Sequence, residues 1–236
     1  MITLELNAEE FYQHAKSHCI SHGFQREIDI VNQRRFDNQS PTDFLYAYVY
    51  VVLNAGMKNQ VAEKIYEKYI HKGLNAIGHP GKKDAVEELE NNFKTWYFKL
   101  KEIDSIQDKL DYLQTLPWIG KITKYHLARN LGIDVAKPDR HLVRLANHFN
   151  YDDPQSLCEY ISTKTGDRVG VVDVVLWRFL NLNPTIAKRL DKELVVHELP
   201  CPKCGGKMRG KIGESYSCDH CEFTGMPNYT LYAWSK

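Results

Sequence analysis

Four cysteines constrain this chain more than any other feature. They stand at 201, 204, 218 and 221, as C-x2-C, thirteen intervening residues, then C-x2-C. Each CxxC turn aims two thiolates at one point, and a short hairpin between the turns completes a tetrahedral set. So short a segment cannot build its own core, so a bound metal has to supply the folding energy. Cys201, Cys204, Cys218 and Cys221 leave no open position for water, which points to one structural Zn2+ rather than a catalytic ion. A mononuclear iron site or free thiols are the competing readings. The other two cysteines, Cys19 and Cys158, stand alone. Local pairs instead of a spread disulfide framework fit a reducing, cytoplasmic compartment.

The rest of the chain is patterned differently. Residues 1–196 are expected to form an all-helical body, and residues 197–236 a small module in which the helical period disappears. The 236 residues are 43% apolar and 26% charged, which excludes disorder as the main state. No run approaches the roughly eighteen apolar residues of a membrane span, and residues 1–10 show no basic, then apolar, secretory signal. Thirty-one Lys and Arg against thirty Asp and Glu give a net charge of +1, so only the local distribution of charge bears on nucleic acid.

Helices are expected over 8–18, 24–36, 61–70, 85–101, 108–113, 121–131, 139–148, 169–180 and 184–190, with another opened by Asp153-Pro154. Ser40-Pro41-Thr42-Asp43 is a helix start, with an N-cap, Pro in the first turn and an acid close behind. The residues after it, 46–52, are β-branched and aromatic. Phe44, Tyr48, Val51, Val52 and Ala55 nevertheless recur at helical spacing, so a helix ending near Gly56 is the expectation. His79-Pro80-Gly81 reads as a loop. Short strands are expected over 207–211 and 214–217. Lys203, Lys207, Arg209 and Lys211 make that module either a phosphate-contacting face or an ordinary solvated surface.

The segment 116–145 reads LPWIGKITKYHLARNLGIDVAKPDRHLVRL. Leu116-Pro117-Trp118-Ile119-Gly120 is a tight turn that leads into a helix. A helix N-terminus offers unpaired backbone N–H groups and the positive end of its dipole, which hold a phosphate without reading sequence. Lys121, Thr123 and Lys124 add donors. Residues 121–150 hold six basic residues (121, 124, 129, 137, 140, 144) against two acids (134, 139). Asp139 comes nineteen positions after Gly120 and opens an apolar helix. By itself that aspartate is an N-cap.

Together these residues resemble the helix-hairpin-helix (HhH-GPD) DNA glycosylase superfamily, the group that includes endonuclease III and the alkylbase glycosylases. The resemblance covers about residues 30–190. It implies a two-lobed helical fold, double-stranded DNA as partner, and base excision by a flipped-base mechanism. It places the DNA contact at Trp118, Ile119, Gly120, Lys121, Thr123 and Lys124, and catalysis at Asp139. The carboxylate would stabilise positive charge on the sugar or orient water. Trp118 replaces the first hairpin glycine, and either packs under the turn or stacks on DNA. Ile122 stands where bifunctional members carry a Schiff-base lysine, so the resemblance implies a monofunctional enzyme without lyase activity. Ile122 and His126 share a helix face that could line the base pocket, although a packed histidine is the plainer reading. Tyr46, Tyr50, Trp96 and Trp177 are further stacking candidates, and Met57 is the candidate DNA wedge. The cysteine run that binds an iron–sulfur cluster in related members is absent, so none is expected. The expected protein is a cytoplasmic, nucleoid-associated monomer with no membrane partner. A non-catalytic DNA-binding protein, gripping backbone through hairpin and zinc ribbon, is the alternative, and Asp139 separates the two readings.

Overall fold

The computed structural model describes residues 6–193, 199–201, 203–209 and 216–225. Among them run α1 (Ala8–Ser21), α2 (Gln25–Gln33), α3 (Pro41–Asn54), α4 (Asn59–Lys72), α5 (Pro80–Glu102) and α6 (Ile106–Thr115). Then follow α7 (Thr123–Asn130), α8 (Arg140–His148), α9 (Pro154–Thr165), α10 (Val169–Leu182) and α11 (Pro184–Glu193). The boundaries follow local chemistry. Asn7 and Glu10 form a capping box on α1, and Ser40 and Asp43 form one on α3, with Pro41 in its first turn. Those Ser40 hydrogen bonds hold the Asp43 carboxyl below its usual range. The β-branched run of α3 stays helical because Phe44, Tyr48, Val51 and Val52 are all buried, and packing outweighs propensity. The expected loop at 79–81 is instead the start of α5. His79 is its N-cap, with Nδ1 accepting from Lys82 N at 3.4 Å, and Pro80 sits in its first turn. Pro lacks an N–H that would be orphaned there anyway.

Two cores form. Helices α1, α2 and α8–α11 share one, centred on α10, whose Val171, Val172, Val175, Leu176 and Phe179 are fully buried. Helices α3–α7 share the other, around Phe44, Tyr48, Leu89, Leu113 and Leu127. The chain thus begins in one lobe, builds the second, and returns. The return runs through the loop 131–139. Gly132 has φ 85°, and a Cβ there would stand 2.8 Å from the backbone carbon of Arg35, so only glycine lets the segments approach so closely. Arg168 then ties the crossing together, donating to the carbonyls of Val31 (3.1 Å), Arg34 (2.6 Å) and Gly132 (3.0 Å).

In the cysteine module, β1 (Leu199–Pro200), β2 (Lys207–Arg209), β3 (Tyr216–Cys218) and β4 (Thr224–Gly225) make an antiparallel sheet in that order. The expected strands are found as β2 and β3. Lys211, Glu214 and the expected boundary at 196/197 lie outside the described residues.

Candidate functional site

A cleft of about 800 Å³ opens between the two lobes. Its walls come from α2, α3, α4, α7, α8 and α10 and from the loops before α4 and α8. It brings together Tyr50, Met57, Ile122, His126, Asp139 and Trp177, residues spread over more than a hundred positions of chain. Of the other aromatic candidates, Tyr46 lines a neighbouring hollow of about 300 Å³. Trp96 packs into the second core, 6.1 Å from Tyr48.

The hairpin lies before α7. Its residue 118 has φ 62°, the left-handed region that favours glycine. Trp118 adopts it at a cost of about 1–2 kcal/mol, offset by packing. Its ring lies against His79, with centroids 5.2 Å apart, and over Gly81, where an added Cβ would stand 2.7 Å from Cζ3. The indole is still 41% exposed. The turn is also held from below. The Tyr48 hydroxyl donates to the Pro117 carbonyl, Ile119 N donates to Leu116 O at 3.1 Å, and the Ile119 side chain is buried in the second core. Thr123 Oγ1 accepts from Gly120 N at 2.7 Å. Among the described residues, the amides of Lys121, Ile122 and Thr123 find no acceptor. Lys121 is exposed. Lys124 corrects the expectation of a free donor. It is buried, and its Nζ pairs with Asp111 Oδ1 at 3.0 Å.

Asp139 is the N-cap of α8. Its Oδ1 accepts from His141 N (2.8 Å) and Leu142 N (3.2 Å). Its other oxygen has no protein hydrogen bond among the described residues, and the side chain lines the cleft. Asp173, on α10, holds the segment before it. This fully buried carboxylate pairs with Arg129 of α7 and accepts from the backbone N of Lys137. Burial pushes the Asp173 carboxyl up, and Arg129 and the Lys137 amide oppose that push. One acid therefore fixes a cleft wall of one lobe against the loop that ends at Asp139. The sequence reading missed it, although a lone acid inside the apolar run VGVVDVV is the signal for such a role. Lys82 was missed too. It is buried, and its Nζ donates to Leu53 O (2.9 Å) and Ala55 O (2.7 Å), anchoring the turn that carries Met57. Its signal was a cation in the first turn of α5, where the helix dipole disfavours one.

Ile122 and His126 lie one helical turn apart on the cleft wall. Ile122 is 45% exposed, whereas His126 is buried, edge-on to Tyr50 with ring centroids 6.0 Å apart. Burial holds the His126 imidazole well below its ordinary range, and Lys137 and Arg129 push the same way. Burial likewise lowers the Lys137 ammonium, and Arg129 lowers it further, against the opposing pull of Asp139 and Asp173. Across the cleft, Arg178 pairs with Glu27 through two 2.8 Å bonds and lies over the ring of Trp177.

The sulfurs of Cys201, Cys204, Cys218 and Cys221 all lie within 4.8 Å of one another. Backbone amides point at two of them, Gly206 N at Cys204 (3.4 Å) and His220 N at Cys218 (3.3 Å). A Cβ on Gly206 would stand 2.7 Å from His220 Cδ2, so the first turn needs glycine to close. Four soft donors so disposed can hold one metal ion.

No family model and no curated protein matches the sequence. Solved structures do match. The 8-oxoguanine glycosylase/lyase of Methanocaldococcus jannaschii, in complex with DNA containing 8-oxoguanine, superposes with a TM-score of 0.56 at 16% identity. The match covers 73% of this chain and 96% of that one. The 8-oxoguanine DNA glycosylase of Thermotoga maritima gives 0.56 at 15% identity, covering 72% and 96%. The chain therefore shares the fold of these two structures. To the architecture of the two 8-oxoguanine glycosylases it adds a four-cysteine module.

Proposed function

We propose that the chain is a monofunctional DNA glycosylase, which hydrolyses the N-glycosidic bond of a damaged or modified base and leaves an abasic site. The observation that carries this reading is the Asp139 carboxylate. One oxygen is spent on the helix cap, and the other is unbonded in a cleft wide enough for a flipped base. As the bond breaks, positive charge grows on the sugar, and a fixed carboxylate opposes it. Water bonds to C1′ as the base leaves with the electrons of the C1′–N bond, and the proton that the water loses ends on the departing base. The open amides of Lys121, Ile122 and Thr123, with the exposed Lys121 amine, supply a phosphate grip beside that cleft. Trp118 and Gly120 shape the turn, and Met57, on the cleft rim, is the wedge that fills the vacated stack. Ile122 and His126 wall the base pocket.

The monofunctional part rests on Ile122, which occupies the cleft wall without an amine, and on the positions of its neighbours. Lys124 is locked to Asp111, and Lys121 lies outside the cleft lining. The helical body, residues 1–196, carries the chemistry. The module 197–236 is a separate zinc ribbon in which Cys201, Cys204, Cys218 and Cys221 hold one structural Zn2+. The protein works as a monomer on double-stranded DNA, in the nucleoid.

Asp139→Asn keeps an oxygen for the cap and removes the charge. Base release should fall on the order of a hundredfold or more, while duplex binding persists. Borohydride should trap no covalent complex with the wild type. Full activity in Asp139→Asn would overturn the catalytic assignment. Efficient trapping would overturn the monofunctional one, and Lys137 would be the amine to replace.

A further inference from the structure

Two polar side chains in the cleft are left for a ligand to satisfy. His126 is 8% exposed, and its ring nitrogens make no hydrogen bond among the described residues. The Lys137 Nζ, on the same wall, makes no hydrogen bond or close ion pair among the described residues, although Asp139 and Asp173 pull on its charge. The other cations of the cleft wall are matched, Arg129 by Asp173 and Arg178 by Glu27, and Lys58 and Arg140 are exposed. Asp139 is the nearby acid left over, and its charge is needed at the sugar.

The chemistry of the two groups restricts what completes them. An ammonium has three donors and no acceptor, so its partner must be a lone-pair oxygen or nitrogen. A neutral imidazole offers one donor and one acceptor. A base with a ring carbonyl meets both. A cationic base does not, because it would bring a second positive charge beside the partly buried Lys137. Burial, Lys137 and Arg129 likewise hold the His126 imidazole below its ordinary range, so the same surroundings disfavour a cation there.

We propose that this cleft selects a neutral, carbonyl-bearing base, oxidised or deaminated, and that Lys137 and His126 form the selecting pair that rejects positively charged N-alkylpurines. The proposal rests on the glycosylase reading above and narrows its substrate.

Single-turnover base release tests it, on matched duplexes carrying uracil, hypoxanthine, 8-oxoguanine or 7-methylguanine. At least one neutral base should leave at least tenfold faster than 7-methylguanine. Lys137→Met should slow that base by roughly tenfold to a hundredfold, the cost of a charged hydrogen bond, and should narrow the gap to 7-methylguanine. Lys137→Gln, which keeps a donor without the charge, should fall between. Preference for 7-methylguanine in the wild type would overturn the selection and leave the glycosylase reading standing. Unchanged ratios in both variants would overturn the role of Lys137. So would equal weakening on every duplex with a shallower salt dependence, which would make it a phosphate contact. No release from any duplex would refute the glycosylase reading, and this inference with it.

Discussion

Asp173 joins a helix of each lobe to the loop that ends at Asp139, so its charge should be felt in both stability and activity. Asp173→Asn preserves the volume and leaves a carbonyl oxygen to accept from Lys137 N. It removes the counter-charge that Arg129 has among the described residues, and the Arg129 side chain is 13% exposed. Breaking a buried pair by removing one partner costs about 3–5 kcal/mol, most of it the unbalanced charge left behind. Arg129 is not fully buried, so the lower end, about 3 kcal/mol, is expected. At roughly 2–4 °C per kcal/mol for a chain of this size, the melting temperature should drop by about 6–12 °C. Adding Arg129→Met removes the orphaned charge and should recover more than half of that loss. Thermal melts of the wild type, both single variants and the double variant close the cycle. The argument fails if Asp173→Asn costs under about 1 kcal/mol, or if the double variant is no better than Asp173→Asn alone.

Two further outcomes can be measured independently. The His126 imidazole is held below its ordinary value of 6.5 in the folded chain, so below that pH the unfolded chain takes up a proton that the folded chain refuses. Its contribution is therefore neutral above 6.5, and stability falls by up to about 1.4 kcal/mol per pH unit below it. His126→Gln should flatten that slope in melts between about pH 5 and pH 7, and an unchanged slope would show that His126 is not the group responsible. In the cysteine module, purified protein should carry close to one zinc per chain, and Cys201→Ser should lower the zinc content while the helical body keeps its melting transition. Metal-free protein on elemental analysis would end the zinc assignment.

The residues that could be read from the sequence are those whose role is local. A capping box at Ser40 and Asp43, a cap at Asp139, and cysteines three apart each close a loop of a few residues, so their spacing carries their geometry. The resemblance of the 116–145 segment likewise depended on the spacing of a hairpin and an acid. Even the α5 start at His79 and Pro80 was written locally, and was missed only because Pro-Gly also marks loops. What depended on distant parts of the chain was not legible. Nothing in the sequence of Lys124 says that Asp111 will capture its amine, and nothing around Trp118 says that a glycine at 81 leaves room for its ring. The return of α8–α11 to pack on α1 and α2, and so the cleft itself, arises from burying apolar faces that many partners could have covered. The sequence by itself therefore determined the helices, the metal knuckles and the candidate acid. Only the tertiary structure decided which charges are neutralised, which are left open in the cleft, and that Lys137 stands beside His126, because burial and pairing are properties of the assembled fold.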